Sequence, residues 1–233
     1  DYPICYDPET DRRFLKDTWL RNVEYIAQAK KNSRYILKTN FFIQVMPYGV
    51  PANLHDRLPT YEDISLQAYT LLAFGFDSIS YFCYATPTAA EFSERQYSMI
   101  DRSEQKTQTY FCGQKLNGIL RKLNPIYKRL KNNWRGVYPV YGDNAAERNV
   151  SFGLLKKPLA ASKIDEMVSA RSDEDILIGC FKDEDGKAGY IVVNAGDTFS
   201  AKKAKFSIRF KETDLVSVYR NGEEEIVRLT DNE

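Results

Sequence analysis

Residues 57–84 constrain the fold most, because they indicate a loop, a helix and a strand in immediate succession. Thr60 can cap a helix whose third position is Asp63. An apolar stripe at helical spacing follows, formed by Ile64, Ala68, Leu71 and Leu72. Gly75 ends this helix, and residues 79–84 are typical of a strand buried on both faces of a parallel sheet. A helix leading into such a strand predicts a crossover unit.

The first part of the chain, residues 1–136, alternates helical and strand patterns. A helix is predicted over residues 11–31 and an almost wholly apolar strand over residues 41–46. A third helix begins near Tyr110, and Pro125 is expected to kink it or to start a new helix. We therefore predict an α/β domain over residues 1–136.

The second part, residues 137–233, changes to short strands and tight turns. The predicted strands are residues 176–181, 190–194, 204–210, 215–219 and 225–229. Asn221 and Gly222 form the dipeptide that type I′ hairpin turns favour. Strands of this length, separated by such turns, predict an antiparallel β-sandwich.

Charge and composition give no support to several classes of partner and site. With 33 Lys and Arg against 32 Asp and Glu, the whole chain lacks the excess of positive charge that favours binding to nucleic acid or to an anionic membrane. No apolar run approaches the roughly 20 residues of a membrane span. The 4 cysteines are scattered and there is 1 histidine, so we expect no metal and no cofactor.

Five segments together resemble the carboxyl-terminal part of (β/α)8-barrel glycoside hydrolases related to the family 42 β-galactosidases. The segments are residues 1–4, 41–49, 57–60, 72–75 and 79–84. The resemblance implies a partial TIM barrel, made of the last three βα units, followed by a β-sandwich. It also implies a carbohydrate ligand, and it favours a secreted or periplasmic protein of a bacterial kind.

This placement implies that the chain opens at the end of a sixth barrel strand. We therefore expect a fragment, truncated at both ends, that the missing amino-terminal half of the barrel completes. The parent protein is expected to hydrolyse a glycosidic bond. Three parallel strands alone would leave open hydrogen-bonding edges.

Gln44 stands at the seventh-strand position where the resemblance places a catalytic nucleophile. Retaining glycosidases use two carboxylates, and no Asp or Glu occurs between residues 35 and 54. Glutamine can hydrogen-bond but cannot attack an anomeric carbon as an anion. The alternative is a non-catalytic carbohydrate-binding or structural protein that lost its nucleophile.

Tyrosines at strand ends are the candidate ligand contacts, because they offer apolar faces to sugar rings and hydroxyls for orientation. The candidates are Tyr2, Tyr48, Tyr81 and Tyr84. Tyr81 fits barrel packing equally well, and Tyr84 is the preferred contact. Among the acidic residues, Glu62 and Asp63 are expected to stabilise a helix start. Three others are expected to be solvated loop charges: Glu91, Glu94 and Asp101.

Overall fold

A computed structural model describes residues 3–4, 11, 15–47, 57–88, 97–143, 166–196, 198–200 and 202–230. Its α-helices are α1 (Leu20–Asn32), α2 (Tyr61–Ala73) and α3 (Gln108–Leu130). Its strands are β1 (Asn40–Gln44), β2 (Ser78–Phe82), β3 (Trp134–Val140), β4 (Met167–Ser172), β5 (Ile176–Lys182), β6 (Ala188–Asn194), β7 (Phe206–Phe210), β8 (Leu215–Arg220) and β9 (Glu223–Arg228). A turn of π-helix, Leu15–Trp19, leads into α1. This is a mixed α/β structure with one parallel strand pair and several antiparallel sheets.

Helix α2 begins and ends where its sequence predicts. The Thr60 hydroxyl accepts a hydrogen bond from Asp63 N at 3.2 Å, and the Asp63 carboxylate accepts one from Thr60 N at 2.8 Å. This reciprocal pair is a capping box. At the other end Gly75 adopts a φ of 75°, a left-handed conformation that suits glycine. Both predictions are confirmed.

Strands β1 and β2 form a parallel pair joined through α2, which confirms the predicted crossover unit. One face of the pair packs in the main hydrophobic core through Phe41 and Ile43. The opposite face remains exposed at Asn40, Phe42 and Ser78. The expectation that residues 79–84 are buried on both faces is wrong, because the described part of the chain covers only one face.

The three-stranded sheet β3–β5–β6 is buried on both faces. Along β5 the side chains alternate, so that Leu177 enters the main core beside α2. Its neighbour Ile178 enters a second core on the other face, shared with strands β4 and β7. The main core includes Val137 and Leu177 together with Ile43, so it contains residues from both sides of the predicted boundary between residues 136 and 137.

Three further local predictions can be compared with the structure. Helix α3 runs through Pro125 without ending there, so the predicted new helix is absent from this part of the structure. The Asn221–Gly222 turn is confirmed, since both residues have positive φ and join β8 to β9. The predicted helix over residues 11–31 is described at residue 11 and from residue 15, where the π-helical turn precedes α1.

Candidate functional site at the carboxyl ends of β1 and β2

The predicted site residues converge on the carboxyl ends of the two parallel strands. Gln44 ends β1, Tyr81 lies within β2, and Tyr84 follows β2 by two residues. Tyr2 and Tyr48 lie outside the described residues.

Gln44 is buried and its amide is fully occupied by backbone groups. Its side chain is 1 % exposed. Oε1 accepts a hydrogen bond from Ile4 N at 2.8 Å, and Nε2 donates to Ile4 O and, at 3.0 Å, to Met46 O. An amide offers the same donor and acceptor as a peptide group. Gln44 therefore joins the segment around Ile4 to the end of β1 much as a neighbouring strand would.

A second buried glutamine, Gln67 of α2, supports the same strand end. Its Oε1 accepts from Gln44 N at 2.8 Å, and its Nε2 donates to Gln44 O at 3.2 Å. Gln67 is not among the site residues predicted from the sequence. The available signal was its helical phase, which places Gln67 on the face that also carries Ile64 and Leu71. Gln67 thus fixes the position of the end of β1 along α2.

Tyr81 and Tyr84 have different surroundings. The Tyr81 ring packs against the main core, and its hydroxyl donates to Asn117 Oδ1 of α3 at 2.8 Å. Burial raises the pKa of Tyr81 to about 12, so the phenol stays neutral. Tyr84 is 61 % exposed. Of the tyrosine candidates in the described residues, Tyr84 is therefore the one with a ring open to solvent.

The segment after β2 is fixed against both strand ends. The Phe82–Cys83 peptide bond is cis, and Cys83 N donates to Ser98 Oγ at 3.3 Å while Ser98 Oγ donates back to Cys83 O. The Cys83 thiol lies 3.6 Å from Met46 Sδ, beyond the end of β1. Burial raises the pKa of the Cys83 thiol, which disfavours the nucleophilic thiolate.

Asp63, in the first turn of the helix that carries Gln67, is held in a buried network. Arg57 donates to both oxygens of Asp63, at 2.6 and 2.9 Å, and Thr198 Oγ1 donates to Asp63 Oδ1 at 2.6 Å. Burial raises the pKa of Asp63, but the hydrogen bonds and charge of Arg57 outweigh it, so the pKa is lowered. Arg57 also donates to Asp11 at 2.9 Å. The Asp63 carboxylate is thus ionised, and both of its oxygens accept structural hydrogen bonds. This agrees with its predicted capping role.

The predicted loop carboxylates have separate outcomes. Asp101 Oδ1 accepts from the backbone N–H groups of Ser103 and Gln105, both at 2.8 Å, and so stabilises its own turn. Glu91 and Glu94 lie outside the described residues. Within the described residues 35–47 and 78–88, which include both strand ends, no Asp or Glu occurs.

Comparison with known proteins found no matching family model, no similar curated protein and no similar solved structure. Among the described residues, no helix is both long enough and apolar enough to span a membrane. The geometry of the chain itself is therefore the basis for a functional assignment.

Proposed function

We propose that this chain is the carboxyl-terminal part of a carbohydrate-active (β/α)8-barrel protein, in which β1 and β2 are consecutive barrel strands. The carboxyl ends of these strands contribute to a carbohydrate cleft, and the complete protein hydrolyses a glycosidic bond. The antiparallel strands that follow belong to a β-sandwich. The missing amino-terminal strands of the barrel complete the cleft.

One face of the parallel pair is left uncovered by the described residues, and this observation carries the proposal. Phe42 is 57 % exposed on this face, where its ring meets Phe82 edge-on at 6.3 Å. Beside it, Asn40 Nδ2 donates to Ser80 Oγ at 3.0 Å. Parallel sheets are almost always covered on both faces. In a closed barrel this face would point inward, where side chains from the remaining strands would cover it.

Tyr84 supports the assignment of the cleft. Barrel enzymes build their sites from the loops that follow the strands, at the carboxyl ends. Tyr84 occupies such a position directly after β2, with its ring exposed. An exposed tyrosine ring offers a flat apolar surface to a sugar and a hydroxyl for hydrogen bonding.

The packing of the antiparallel strands supports the sandwich. The sheet β3–β5–β6 faces the pair β4–β7 across the second core, which contains Ile178, Cys180 and Met167. Two antiparallel sheets enclosing an apolar layer are the basic unit of such a fold. Helix α2 covers the other face of the larger sheet, so this unit packs directly against the first region.

A second candidate function, carbohydrate binding without hydrolysis, is favoured by the surroundings of Gln44. A retaining mechanism requires a carboxylate nucleophile about 5 Å from the acid. The Gln44 amide is buried, and its donors and acceptor are occupied by Ile4 and Met46. At this position the chain supplies support for the strand end and no nucleophile.

The decisive experiment compares Tyr84→Ala with the unchanged sequence, both in the complete protein, using calorimetric titration with a panel of soluble oligosaccharides. Loss of an aromatic anchor should weaken binding by about 1–3 kcal/mol, while the melting temperature stays nearly constant. Tyr219→Ala, on the distant strand β8, is the matched control and should bind normally.

The same panel separates the two functions when sugar release is also measured. Release of sugar that depends on Tyr84 supports hydrolysis, whereas binding without release supports the second candidate. Absence of oligosaccharide binding, or an equal loss in both variants, would contradict the proposed cleft.

A further inference from the structure

Three consecutive apolar residues protrude between α1 and β1. Tyr35, Ile36 and Leu37, hereafter the apolar tip, are 80 %, 98 % and 43 % exposed. Single exposed apolar residues are ordinary, but a contiguous apolar patch marks an interaction site. The tip is therefore a candidate contact surface.

Positive charge surrounds the apolar tip. Residues 25–40 contain four basic side chains, those of Lys30, Lys31, Arg34 and Lys38, and no acidic side chain. Arg34 and Lys38 are exposed directly on either side of the tip. The near balance of charge in the whole chain therefore conceals a local concentration of positive charge.

The base of the tip is fixed to the core. Thr39 N donates to Asp77 Oδ2 at 2.9 Å, and Lys30 Nζ donates to the same oxygen at 2.7 Å. Lys131 also pairs with Asp77. These contacts hold both the end of α1 and the start of β1, so the tip is presented from an anchored base.

We infer that the apolar tip and its basic flanks form a contact site for an anionic lipid surface. Aliphatic and tyrosine side chains partition into the boundary between headgroups and acyl chains, while neighbouring Lys and Arg side chains attract anionic headgroups. This attraction acts within about 8 Å at physiological salt, so it depends on the local charges more than on the net charge of the chain.

The position of the tip is compatible with the proposed cleft. The tip precedes β1, whereas Tyr84 follows the end of β2, and the two strands are parallel. A strand of five residues spans about 16 Å. A lipid surface at the tip would therefore leave the opposite ends of the strands open to solvent.

The test is sedimentation of the protein with phosphatidylcholine vesicles that contain or lack phosphatidylserine. We expect binding to the anionic vesicles that weakens as salt is raised. Ile36→Asp should weaken it about tenfold or more, because it replaces an inserted aliphatic group with a charge. The double substitution Arg34→Gln and Lys38→Gln should weaken it about 30-fold, at about 1 kcal/mol for each charge.

Ile226→Asp is the matched control, since Ile226 is 70 % exposed but lies beside Glu223, Glu224 and Glu225. It should leave vesicle binding unchanged. Circular dichroism confirms that each variant is folded, and the charge variant keeps the test valid if Ile36→Asp fails to fold. The inference is overturned by absence of binding to anionic vesicles, by equal binding to neutral vesicles, or by equal loss in the Ile226 control. It is also overturned if Ile36→Asp instead abolishes self-association or binding to an oligonucleotide.

Discussion

The parallel pair β1–β2 and the antiparallel sheet β3–β5–β6 differ in how completely the described residues cover them. On the parallel pair, Phe41 is packed in the core while Phe42 faces solvent. On the antiparallel sheet, Leu177 and Ile178 are both fully buried, one on each face. The three central residues of β1 and most residues of β5 are apolar. The elements packed on a strand therefore decide its burial, because apolar composition alone does not distinguish these two cases.

The two regions are joined by buried polar links as well as by apolar packing. Asp63 accepts hydrogen bonds from Arg57, which lies in its own region, and from Thr198, which lies in the other. Lys16 pairs with Asp175, and both side chains are almost completely buried. Removing one member of such a link leaves a buried partner uncompensated, so these positions test the connection between the regions.

The largest effect is expected for Asp63→Ala. The substitution leaves the buried Arg57 guanidinium with fewer partners and removes the capping box of α2. Loss of one member of a buried ion pair costs about 4 kcal/mol. Urea unfolding monitored by tryptophan fluorescence measures the change. Thr198→Val, which removes one hydroxyl, should cost about 1 kcal/mol.

The same residue predicts a dependence on pH. Because the pKa of Asp63 is lower in the folded state, its stabilising contribution is present above the unfolded pKa of about 4 and is lost as the pH falls through the folded value. The loss of stability on acidification should therefore be smaller in Asp63→Ala. An identical slope in both proteins would contradict the network.

The next largest effect concerns the contact of the antiparallel sheet with α2. A Cβ placed on Gly179 would lie 2.6 Å from Ala73 Cα, against backbone that cannot move aside cheaply. Gly179→Ala should destabilise the protein by about 3 kcal/mol through overpacking. Gly118→Ala, at an exposed helical position with nothing within 4 Å, should instead stabilise it by about 0.5 kcal/mol. Equal effects of the two substitutions would show that the sheet does not lie against α2.

Gln44→Glu tests the end of the parallel pair. A carboxylate cannot donate to Ile4 O and Met46 O, and it would be buried against those two carbonyl oxygens. We expect a loss of about 2 kcal/mol in the free energy of unfolding. Gln108→Glu, at the exposed start of α3, should change stability by less than about 0.5 kcal/mol. A stable Gln44→Glu protein that releases sugar from an aryl glycoside would instead support a site at this position.

The smallest effect is expected on the uncovered face. Phe42→Ser should cost about 1 kcal/mol or less, because the ring is already exposed and loses mainly its contact with Phe82. Phe41→Ser should cost about 3 kcal/mol or more, since that ring packs between Trp19 and Phe76. Thermal denaturation of the two variants measures the difference in stability between the two faces. Similar losses would mean that both faces are covered.

Local sequence predicted the features that local chemistry determines. The capping box at Thr60 and the turn at Asn221 and Gly222 follow from a few adjacent residues, and both are confirmed. The crossover from β1 through α2 to β2 followed from the change in hydrophobic period. Pro125 left two outcomes open, a kink or a new helix, and α3 continues through this residue as one helix.

The arrangement of the candidate site was harder to predict. Sequence placed Gln44 at a strand end but could not show which groups its amide meets, because Ile4 is 40 positions away. Sequence favoured Tyr84 as the ligand contact but left Tyr81 equally suited to ligand contact and to packing, and the position of α3 distinguishes these two roles for Tyr81. Both questions depend on long-range contacts that no local pattern contains.

The hydrogen bonds between Gln44 and Gln67 have a consequence for the order of folding. The contact between Gln44 and Gln67 closes a separation of 23 residues, whereas the contact between Thr198 and Asp63 closes one of 135. Shorter closures cost less chain entropy and form earlier on average. The register of β1 on α2 can therefore be set before the distant carboxyl-terminal segment arrives. During synthesis the backbone N–H and C=O of Gln44 would therefore already be hydrogen-bonded to Gln67, and fewer backbone groups at this strand end would be free to mispair.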